Sequence, residues 1–385
     1  MMEGIVTQSQ FENLTNLRYL KAPGNSLTLE VDPSWVSLAQ FLCLDLSSWK
    51  LGPQFPNWLR LQKKINYLDL SSTGISGAIP PWLWNMSTAF DYLDLSHNQL
   101  SGGISNICCI NKVHLSSNQF TGPLPSTTPD RMFTLDLSNN SISGGLSHFQ
   151  CHGVRPNGKS TIEVLDLGEN LLSGKIPDCW MNWTVLGFIS LSNNNLSGSI
   201  PMSIGYLSTL LSLHLGNNNL SGGIPSSLDN CTELITIDVA GNKLGGKLPT
   251  WLGPSLSKLR ILILRSNKFH GEIPPELCHL SSLRALDVSN NDFVGVIPSC
   301  FKNFTSMATE ESVYLRNNET TYFYSGYPES AQLAIKGNVY EYNWILGLFC
   351  SIDLSNNNFS GKIPLELTNL LGLKSLNLSG NQLEE

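Results

Sequence analysis

One phrase recurs along the chain, and its even spacing limits the possible fold more than any other feature. The phrase is an apolar L-x-x-L-x-L stretch, a polar pair, an asparagine slot and then L-S-G-x-I-P. The slot is filled fourteen times, by Asn25, Trp49, Thr73, Asn98, Asn118, Asn140, Asn170, Asn194, Asn218, Asn242, Asn267, Asn291, Asn357 and Asn381. Most steps are 24 or 25 residues, but the step that ends at Asn357 is 66. Such a period indicates stacked coils that each touch only their neighbours.

The residue pattern inside each repeat predicts the structure of one coil. The second and third leucines alternate with period two, which predicts a short strand, and stacked strands form one parallel sheet. A buried asparagine can bond backbone groups of the turning chain. Gly and Pro in L-x-G-x-I-P exclude helix and give a second short extended stretch. The predicted fold is α/β, a leucine-rich-repeat solenoid with a parallel sheet on its concave face and mostly loops and 3-10 turns outside.

A single insertion interrupts the repeats. We expect about twelve repeats over residues 1–300, an insertion over 301–348 and about two further repeats over 349–385. A long loop in a regular array is usually functional or disordered, and disordered segments are poor in aromatic residues. This insertion contains Tyr322, Phe323, Tyr324 and Tyr327, so we expect it to fold back on the solenoid. These side chains either pack against the repeats or anchor a partner, and both alternatives stay open.

The residues between the strand leucines point outward along the sheet. Eight of them are aspartates, which we interpret as stock polar residues of a solvated strand and not as ligand contacts. The repeats around Asn267 and Asn291 depart from that pattern. Basic and apolar residues replace the small polar ones there and form a candidate binding patch, made of Arg260, Ile263, Arg265 and Arg284.

Charge and motifs argue against several functions. A net charge of −7 argues against nucleic acid, which requires a basic stripe. Residues 153–160 match the phosphate-binding loop pattern, but a strand and not a helix is predicted to follow, so we interpret the match as coincidental. Other catalytic motifs, dinucleotide-binding motifs and zinc-ligand spacings do not occur. We expect no enzyme activity, no cofactor and no metal.

Glycosylation motifs favour secretion. The candidate acceptor sites are Asn13, Asn85, Asn230, Asn303 and Asn318. Most of these N-x-[ST] motifs fall in variable, outward parts of the repeats, and such motifs matter only in a secreted chain.

The cysteine count is less decisive. Nine cysteines leave at least one thiol without a partner within the chain. Cys278 and Cys300 occupy similar offsets in neighbouring repeats, so they are a possible disulfide, although the sequence leaves their pairing open.

Several stretches resemble a known plant family. The phrase L-x-G-x-I-P resembles the plant-specific leucine-rich repeat. Residues 3–15 and 43–58 look like the middle repeats of receptor-like proteins of the ethylene-inducing-xylanase receptor type. Residues 262–267, 277–280 and 297–301 look like the repeats that this family places before its island domain. The pairs Lys336-Gly337, Glu341-Tyr342 and Leu346-Gly347 resemble the end of that island.

The resemblance implies a plant cell-surface glycoprotein without a kinase domain. Its solenoid would be a right-handed superhelical horseshoe. It would bind an extracellular protein, peptide or glycan ligand and dock co-receptor kinases in defence or developmental signalling. By position, the resemblance assigns these contacts to Lys336, Gly337 and Tyr342, with Arg265 nearby.

Parts of the family pattern are missing from this sequence. The first residues do not resemble a signal peptide, and no apolar run is long enough to cross a membrane. We therefore expect a partial ectodomain, either a fragment or a truncated product. One alternative is a soluble wall protein that inhibits microbial polysaccharide hydrolases. Inhibitors of that family, however, are arrays of repeats without an insertion. Another is a truncated decoy that competes for ligand.

Overall fold

A computed structural model describes most of the chain. It describes residues 2–32, 34–86, 90–104, 107, 110–125, 131–147, 149, 151, 159–308, 322–323, 327–328, 331–335, 338–342 and 349–384. These residues form two compact units, Met1–Leu172 and Ser173–Glu385. Both units are built from short parallel strands and short turns, which confirms the leucine-rich-repeat solenoid as the fold.

In the first unit each repeat adds one strand to a parallel sheet, because its leucines, two residues apart, point to the interior and the residues between them point outward. The strands of this sheet are Tyr19–Lys21, Cys43–Asp45, Tyr67–Asp69, Phe90–Asp94, Ile110–His114, Thr134–Asp136 and Val164–Asp166. A second row follows the asparagine slots, with strands Ser76–Ala78, Gln99–Gly102, Gln119–Gly122 and Ser141–Gly144. The other elements are the paired strands Glu3–Thr7 and Ser26–Glu30, the 3-10 turns Gln8–Gln10 and Asn57–Leu61, and the helix Pro81–Met86.

The second unit repeats this organisation. The strands of its parallel sheet are Phe188–Ser190, Ser212–His214, Thr236–Asp238, Ile261–Ile263, Ala285–Asp287, Ser351–Asp353 and Ser375–Asn377. The second row contains Leu171–Lys175, Asn195–Gly198, Asn219–Gly222, Lys243–Gly246, Lys268–Gly271, Asp292–Val296, Asn358–Lys362 and Gln382–Glu384. The rows are joined by helix Leu252–Ser255 and by 3-10 turns at Trp180–Asn182, Met202–Tyr206, Ser226–Asn230, Pro275–His279, Ser299–Asn303, Thr305–Met307 and Leu365–Asn369.

The asparagines of the repeat phrase hold adjacent coils together, as the sequence predicts. Asn218 accepts a hydrogen bond at Oδ1 from the Leu196 backbone N–H at 2.9 Å. Its Nδ2 donates to the carbonyls of Leu191 and Leu215 at 2.9 and 3.2 Å. Each such asparagine therefore pairs backbone groups of two coils that would otherwise be unpaired in the interior.

Two early repeats lack the asparagine, and other side chains supply the missing donor. Thr73 donates from Oγ1 to the Leu70 carbonyl at 2.7 Å. The indole Nε1 of Trp49 donates to the Ala22 carbonyl at 2.9 Å. The early coils thus keep a side-chain donor to the backbone at this position, although the residue type changes.

The parallel sheet continues across the insertion. Strand Ala285–Asp287 pairs directly with Ser351–Asp353, although the insertion separates them in sequence. The Phe293 backbone N–H donates to Asn357 Oδ1 at 3.1 Å. The ring of Phe293 stacks between those of Phe269 and Phe359, with centroid distances of 6.4 and 6.2 Å. The repeats on either side of the insertion are therefore packed as if they were consecutive.

Residues 301–307, at the start of the stretch expected to be inserted, continue the last repeat before it. Phe301, Phe304 and Met307 are 0% exposed. Phe301 and Phe304 fill the slots that Leu277 and Leu280 occupy one repeat earlier. The Met307 carbonyl accepts a hydrogen bond from the backbone N–H of Gly372 at 2.8 Å. The chain is thus anchored up to Met307 by both apolar packing and backbone bonds.

Candidate ligand-binding surface

The aspartates that point outward from the sheet have a structural role. In Asp69, Oδ1 accepts hydrogen bonds from the backbone N–H and the Oγ of Ser71 at 2.9 and 2.7 Å. Asp287 bonds Ser289 in the same way, at 3.1 and 2.6 Å. These bonds fix the turn that follows each strand. The expectation of a solvated strand is wrong for several of them, since Asp45, Asp69, Asp136, Asp238, Asp287 and Asp353 are buried. Aligned side chains on adjacent strands shield one another, because the strands lie only about 4.8 Å apart.

The apolar part of the predicted binding patch is buried. Ala240, Ile261, Ile263 and Ala285 form a cluster that we call the isoleucine patch, and Phe349 packs against it. Ile263 is 0% exposed. The strand Ala331–Ile335 from the insertion lies against strand Ala285–Asp287. Ile263 therefore packs in an apolar cluster and is not exposed for direct contact with a ligand.

Arg265 forms an ion pair that neutralises a buried carboxylate. Its Nη1 lies 3.2 Å from Asp287 Oδ2, and the two side chains are 13% and 6% exposed. Burial raises the pKa of Asp287 to about 6, although the Ser289 hydrogen bond and the charge of Arg265 oppose the rise. Burial also raises the pKa of Asp238, against the opposing charges of His214 and Arg265. Arg265 is thus the counter-ion of carboxylates on the strands to either side of it.

The other two arginines of the predicted patch differ in exposure. Arg260 is exposed, and its carbonyl accepts backbone bonds from Arg284 and Ala285 at 2.8 and 3.0 Å. Arg284 is half-buried beside Cys350. Burial raises the pKa of the Cys350 thiol, and the charges of Arg284 and Lys374 oppose that rise. Arg260 is therefore the member of the patch that is accessible to a partner.

The insertion contributes two antiparallel pairs of strands. Tyr322–Phe323 pairs with Tyr327–Pro328, and Ala331–Ile335 pairs with Asn338–Tyr342. The predicted contacts Tyr322, Phe323, Tyr327 and Tyr342 therefore lie on strands of the insertion. Three further predicted contacts, Tyr324, Lys336 and Gly337, lie outside the described residues.

The glycosylation candidates that the structure describes lie on turns or, for Asn85, on the short helix Pro81–Met86. Asn13, Asn85, Asn230 and Asn303 are exposed, and Asn318 lies outside the described residues. Each of the first four is accessible to a modifying enzyme in this structure.

Two cysteines of neighbouring 3-10 turns are bonded. A disulfide joins Cys278 to Cys300, with Cα atoms 5.8 Å apart. It ties turn Pro275–His279 to turn Ser299–Asn303, directly before the insertion.

The first unit carries a second surface feature, which the sequence analysis did not identify. Lys21, Tyr67, Tyr92 and His114 form a continuous row across its sheet, which we call the tyrosine face. Lys21 Nζ lies 5.0 Å from the Tyr67 ring centroid. The Tyr67 and Tyr92 rings stack at 4.4 Å with an interplanar angle of 7°, and the Tyr92 and His114 rings are 5.4 Å apart. The recurrence of Tyr-Leu-Asp-Leu at residues 67–70 and 92–95 could have revealed this row.

Within the ranges described above, no group of three or more His, Cys, Asp or Glu side chains could hold a metal ion. Nor does any helix in those ranges have the length and apolar character needed to cross a bilayer.

Comparison with known proteins agrees with this architecture. The Leucine Rich Repeat family model matches residues 64–86, 90–111, 161–183, 186–207, 209–231, 258–280, 282–304 and 350–370. With the parallel strands and the row of buried asparagines, these matches define the chain as a leucine-rich-repeat protein. Its sequence places it among the plant leucine-rich-repeat receptor-like proteins.

Two relatives illustrate that similarity. Receptor-like protein EIX2 of Solanum lycopersicum is 39% identical over 384 residues, covering 97% of this chain and 37% of the relative. Receptor-like protein 35 of Arabidopsis thaliana is 35% identical over 322 residues, covering 80% of this chain and 31% of the relative. The chain therefore spans about a third of the length of these relatives.

Solved structures of plant receptors have a similar fold. The PEPR1–AtPEP1 crystal structure has a TM-score of 0.74 and 25% identity, covering 99% of this chain and 51% of that one. The ectodomain of the Arabidopsis thaliana receptor kinase GASSHO1/SCHENGEN3, in complex with CASPARIAN STRIP INTEGRITY FACTOR 2, has a TM-score of 0.58 and 26% identity. The match to this ectodomain covers 99% of the present chain and 49% of the ectodomain's chain. These neighbours are extracellular receptor regions, which are not enzymatic in kind.

Proposed function

We propose that this chain is a ligand-binding part of the ectodomain of a plant cell-surface receptor-like protein. It recognises a microbial or endogenous extracellular ligand and docks a co-receptor kinase in defence or developmental signalling. Its role is binding and not catalysis. The ligand contacts lie on the insertion and on the exposed edge of the repeats beside it, where Arg260 lies.

The observation that carries the proposal is the way in which the insertion joins the repeats. The sheet register continues from Ala285–Asp287 to Ser351–Asp353 without a gap. The insertion is therefore not needed to complete the solenoid, and the fold supplies a rigid support for it. A long, aromatic-rich segment that the scaffold does not need is the kind of loop that usually carries function.

The experiment deletes the insertion between the last buried residue before it and the first buried residue after it. Residues 309–348 are replaced by a short Gly-Ser linker, which keeps the buried Met307 and Cys350. The probe is a purified ethylene-inducing xylanase, the ligand class for which the resembling receptors are named, and binding is measured by surface plasmon resonance. We expect the intact chain to bind, the deletion to lose binding by at least about tenfold, and the circular dichroism of the repeats to remain.

A matched pair of charge reversals tests the edge of the site. Arg260→Glu changes an exposed arginine directly before strand Ile261–Ile263, which pairs with the strand that the insertion contacts. Lys268→Glu changes an exposed lysine on the second row of strands. We expect only Arg260→Glu to weaken xylanase binding. Failure of the intact chain to bind the xylanase, or undiminished binding by the deletion variant, would overturn the proposal in this form.

The main alternative is a soluble inhibitor of microbial polysaccharide hydrolases. An inhibitor must block substrate access, so it would lower xylan or polygalacturonan hydrolysis when added in excess. A receptor need only bind the enzyme, and we expect hydrolysis to continue in the complex. Inhibition that persists without residues 309–348 would favour the alternative.

A further inference from the structure

The carboxylates beside the tyrosine face form no ion pair with any residue that the structure describes. Asp45, Asp69 and Asp94 lie at matching positions on adjacent strands. Each uses Oδ1 to bond the serine two residues later. Among the residues that the structure describes, no Lys, Arg or His nitrogen lies within 4.0 Å of these three carboxylates. This row therefore differs from Asp287, whose charge is balanced by Arg265.

The electrostatic consequence is visible at the middle carboxylate. Burial raises the pKa of Asp69 to about 6, and the neighbouring charge of Asp94 raises it further against the opposing Ser71 bonds. When Asp69 is ionised, its carboxylate is therefore partly shielded from water and lies near the negative charges of Asp94 and Asp45. A cation placed there would relieve that repulsion, and desolvation would strengthen the attraction.

The stacked rings argue against a sugar as the occupant. Sugars bind aromatic side chains through an open ring face. One face of Tyr67 is covered by Lys21 and the other by Tyr92. Tyr92 in turn contacts Tyr67 on one side and His114 on the other. The rings therefore offer edges and hydroxyl groups, which suit donors of hydrogen bonds.

We propose that the tyrosine face binds a cationic peptide segment, an extended stretch of a partner protein that carries arginine side chains. The planar guanidinium group donates several hydrogen bonds in a fixed geometry and matches carboxylates in pairs. It would contact the free oxygens of Asp45 and Asp69 and the phenol oxygen of Tyr92. That phenol donates to Asp94 Oδ2 at 3.0 Å and keeps lone pairs for a second donor. Stacked tyrosines lose little conformational freedom on binding, which favours interface contacts.

The test uses synthetic probes and the whole chain. The first probe is a capped heptapeptide of alternating glycine and arginine, and the second replaces arginine by its neutral analogue citrulline. Xylotetraose is the glycan probe. Binding is measured by isothermal titration calorimetry at neutral pH and low ionic strength. We expect the arginine peptide to bind at least about tenfold more tightly than the citrulline peptide, and xylotetraose not to bind.

Matched double variants separate a site from general attraction by a chain of net charge −7. Asp45→Asn with Asp69→Asn removes two charges at the tyrosine face and keeps an acceptor for the serine bonds. Glu272→Gln with Asp292→Asn removes two exposed charges elsewhere. We expect about a tenfold loss for the first pair and less than about twofold for the second. Equal losses, or no binding by the intact chain, would overturn the proposal.

A second measurement does not depend on the folding of any variant. An arginine peptide that carries a photoreactive benzophenone side chain is crosslinked to the intact chain, and the products are mapped by mass spectrometry. We expect crosslinks to strands between Tyr19 and His114, and crosslinks elsewhere alone would contradict the site. The proposed xylanase test deletes only residues 309–348, so either proposal can fail without the other.

Discussion

The tyrosine face and the isoleucine patch occupy equivalent positions on the strands, yet they have opposite character. Both follow the same repeat, and in both the aspartate bonds the residue two positions later. At the tyrosine face the aromatic residues Tyr67 and Tyr92 are half-buried, and no described residue forms an ion pair with Asp69. At the isoleucine patch the apolar residues are wholly buried, and Arg265 balances Asp287.

The comparison shows how one backbone supports two kinds of surface. The inward leucines and the asparagines fix the coil and leave the outward positions free to vary. Two or three outward substitutions per repeat convert a half-buried aromatic row into a buried apolar cluster with a counter-ion beside it. Position in the repeat therefore specifies where a side chain lies, whereas side-chain chemistry specifies whether it is covered.

The largest expected difference concerns packing. Ile263→Ala removes buried methyl groups from a closed cluster and should lower the free energy of unfolding by about 3 kcal/mol. Tyr67→Ala removes a half-buried ring from an accessible row and should cost about 1 kcal/mol. Both are measured by urea denaturation monitored by circular dichroism. Equal losses would mean that the two regions are packed alike.

The next effect concerns the counter-ion. Arg265→Met leaves Asp287 buried without its cation and should lower the free energy of unfolding by about 2 kcal/mol at neutral pH. The loss should shrink near pH 5, because Asp287 then binds a proton and is neutral. Arg260→Met removes an exposed arginine and should change stability by less than about 0.5 kcal/mol. A loss that is the same at both pH values would contradict this role of Arg265.

A smaller effect concerns the unpaired carboxylate of the tyrosine face. The pKa of Asp69 is about 6 in the folded chain, above its usual 3.8, so the folded state binds the proton more tightly. Its contribution to stability is present below about pH 4 and is lost as the pH rises through 6. Asp69→Asn should reduce the change in the free energy of unfolding between pH 4 and pH 7 by roughly 1–2 kcal/mol. Urea denaturation between pH 4 and pH 7 measures it, and an unchanged slope in the variant would exclude Asp69 as the source.

The smallest effect distinguishes the two stacked tyrosines. Tyr92→Phe removes the hydroxyl that donates to Asp94 Oδ2 and should cost about 1 kcal/mol. Tyr67→Phe keeps the stacked ring and should cost less than about 0.5 kcal/mol. Thermal unfolding of the two variants provides the measurement. The reverse order would show that the hydroxyl of Tyr67 carries the more important contact.

The regular part of the fold could be predicted from the sequence because its cause is periodic. The asparagine slot recurs with the coil, and each asparagine bonds backbone groups of two coils, as Asn218 does. Alternation of the leucines predicts the strands for the same reason. The insertion was equally visible, since it breaks that period once.

The character of the candidate surfaces could not be predicted in the same way. Ile263 was expected at a binding patch but is buried, because exposure depends on what covers a side chain and not on its slot in the repeat. The sequence assigns Arg265 to the candidate binding patch, but it does not specify that this side chain pairs with Asp287. The stacking of Tyr67 on Tyr92 depends on matching rotamers in adjacent strands, which a single repeat does not encode.

The anchoring of the chain on both sides of the insertion has a consequence for how such a protein can change. Met307 is bonded to Gly372, and Phe293 to Asn357, so the scaffold closes around the two ends of the inserted segment. Closing a longer loop adds little entropy cost, roughly 0.6 kcal/mol for each doubling of its length. Inserted segments of different length and origin can therefore be exchanged between Ala308 and Phe349 while the solenoid is inherited intact. This junction is a natural place for new recognition to evolve, and for chimeras to be built.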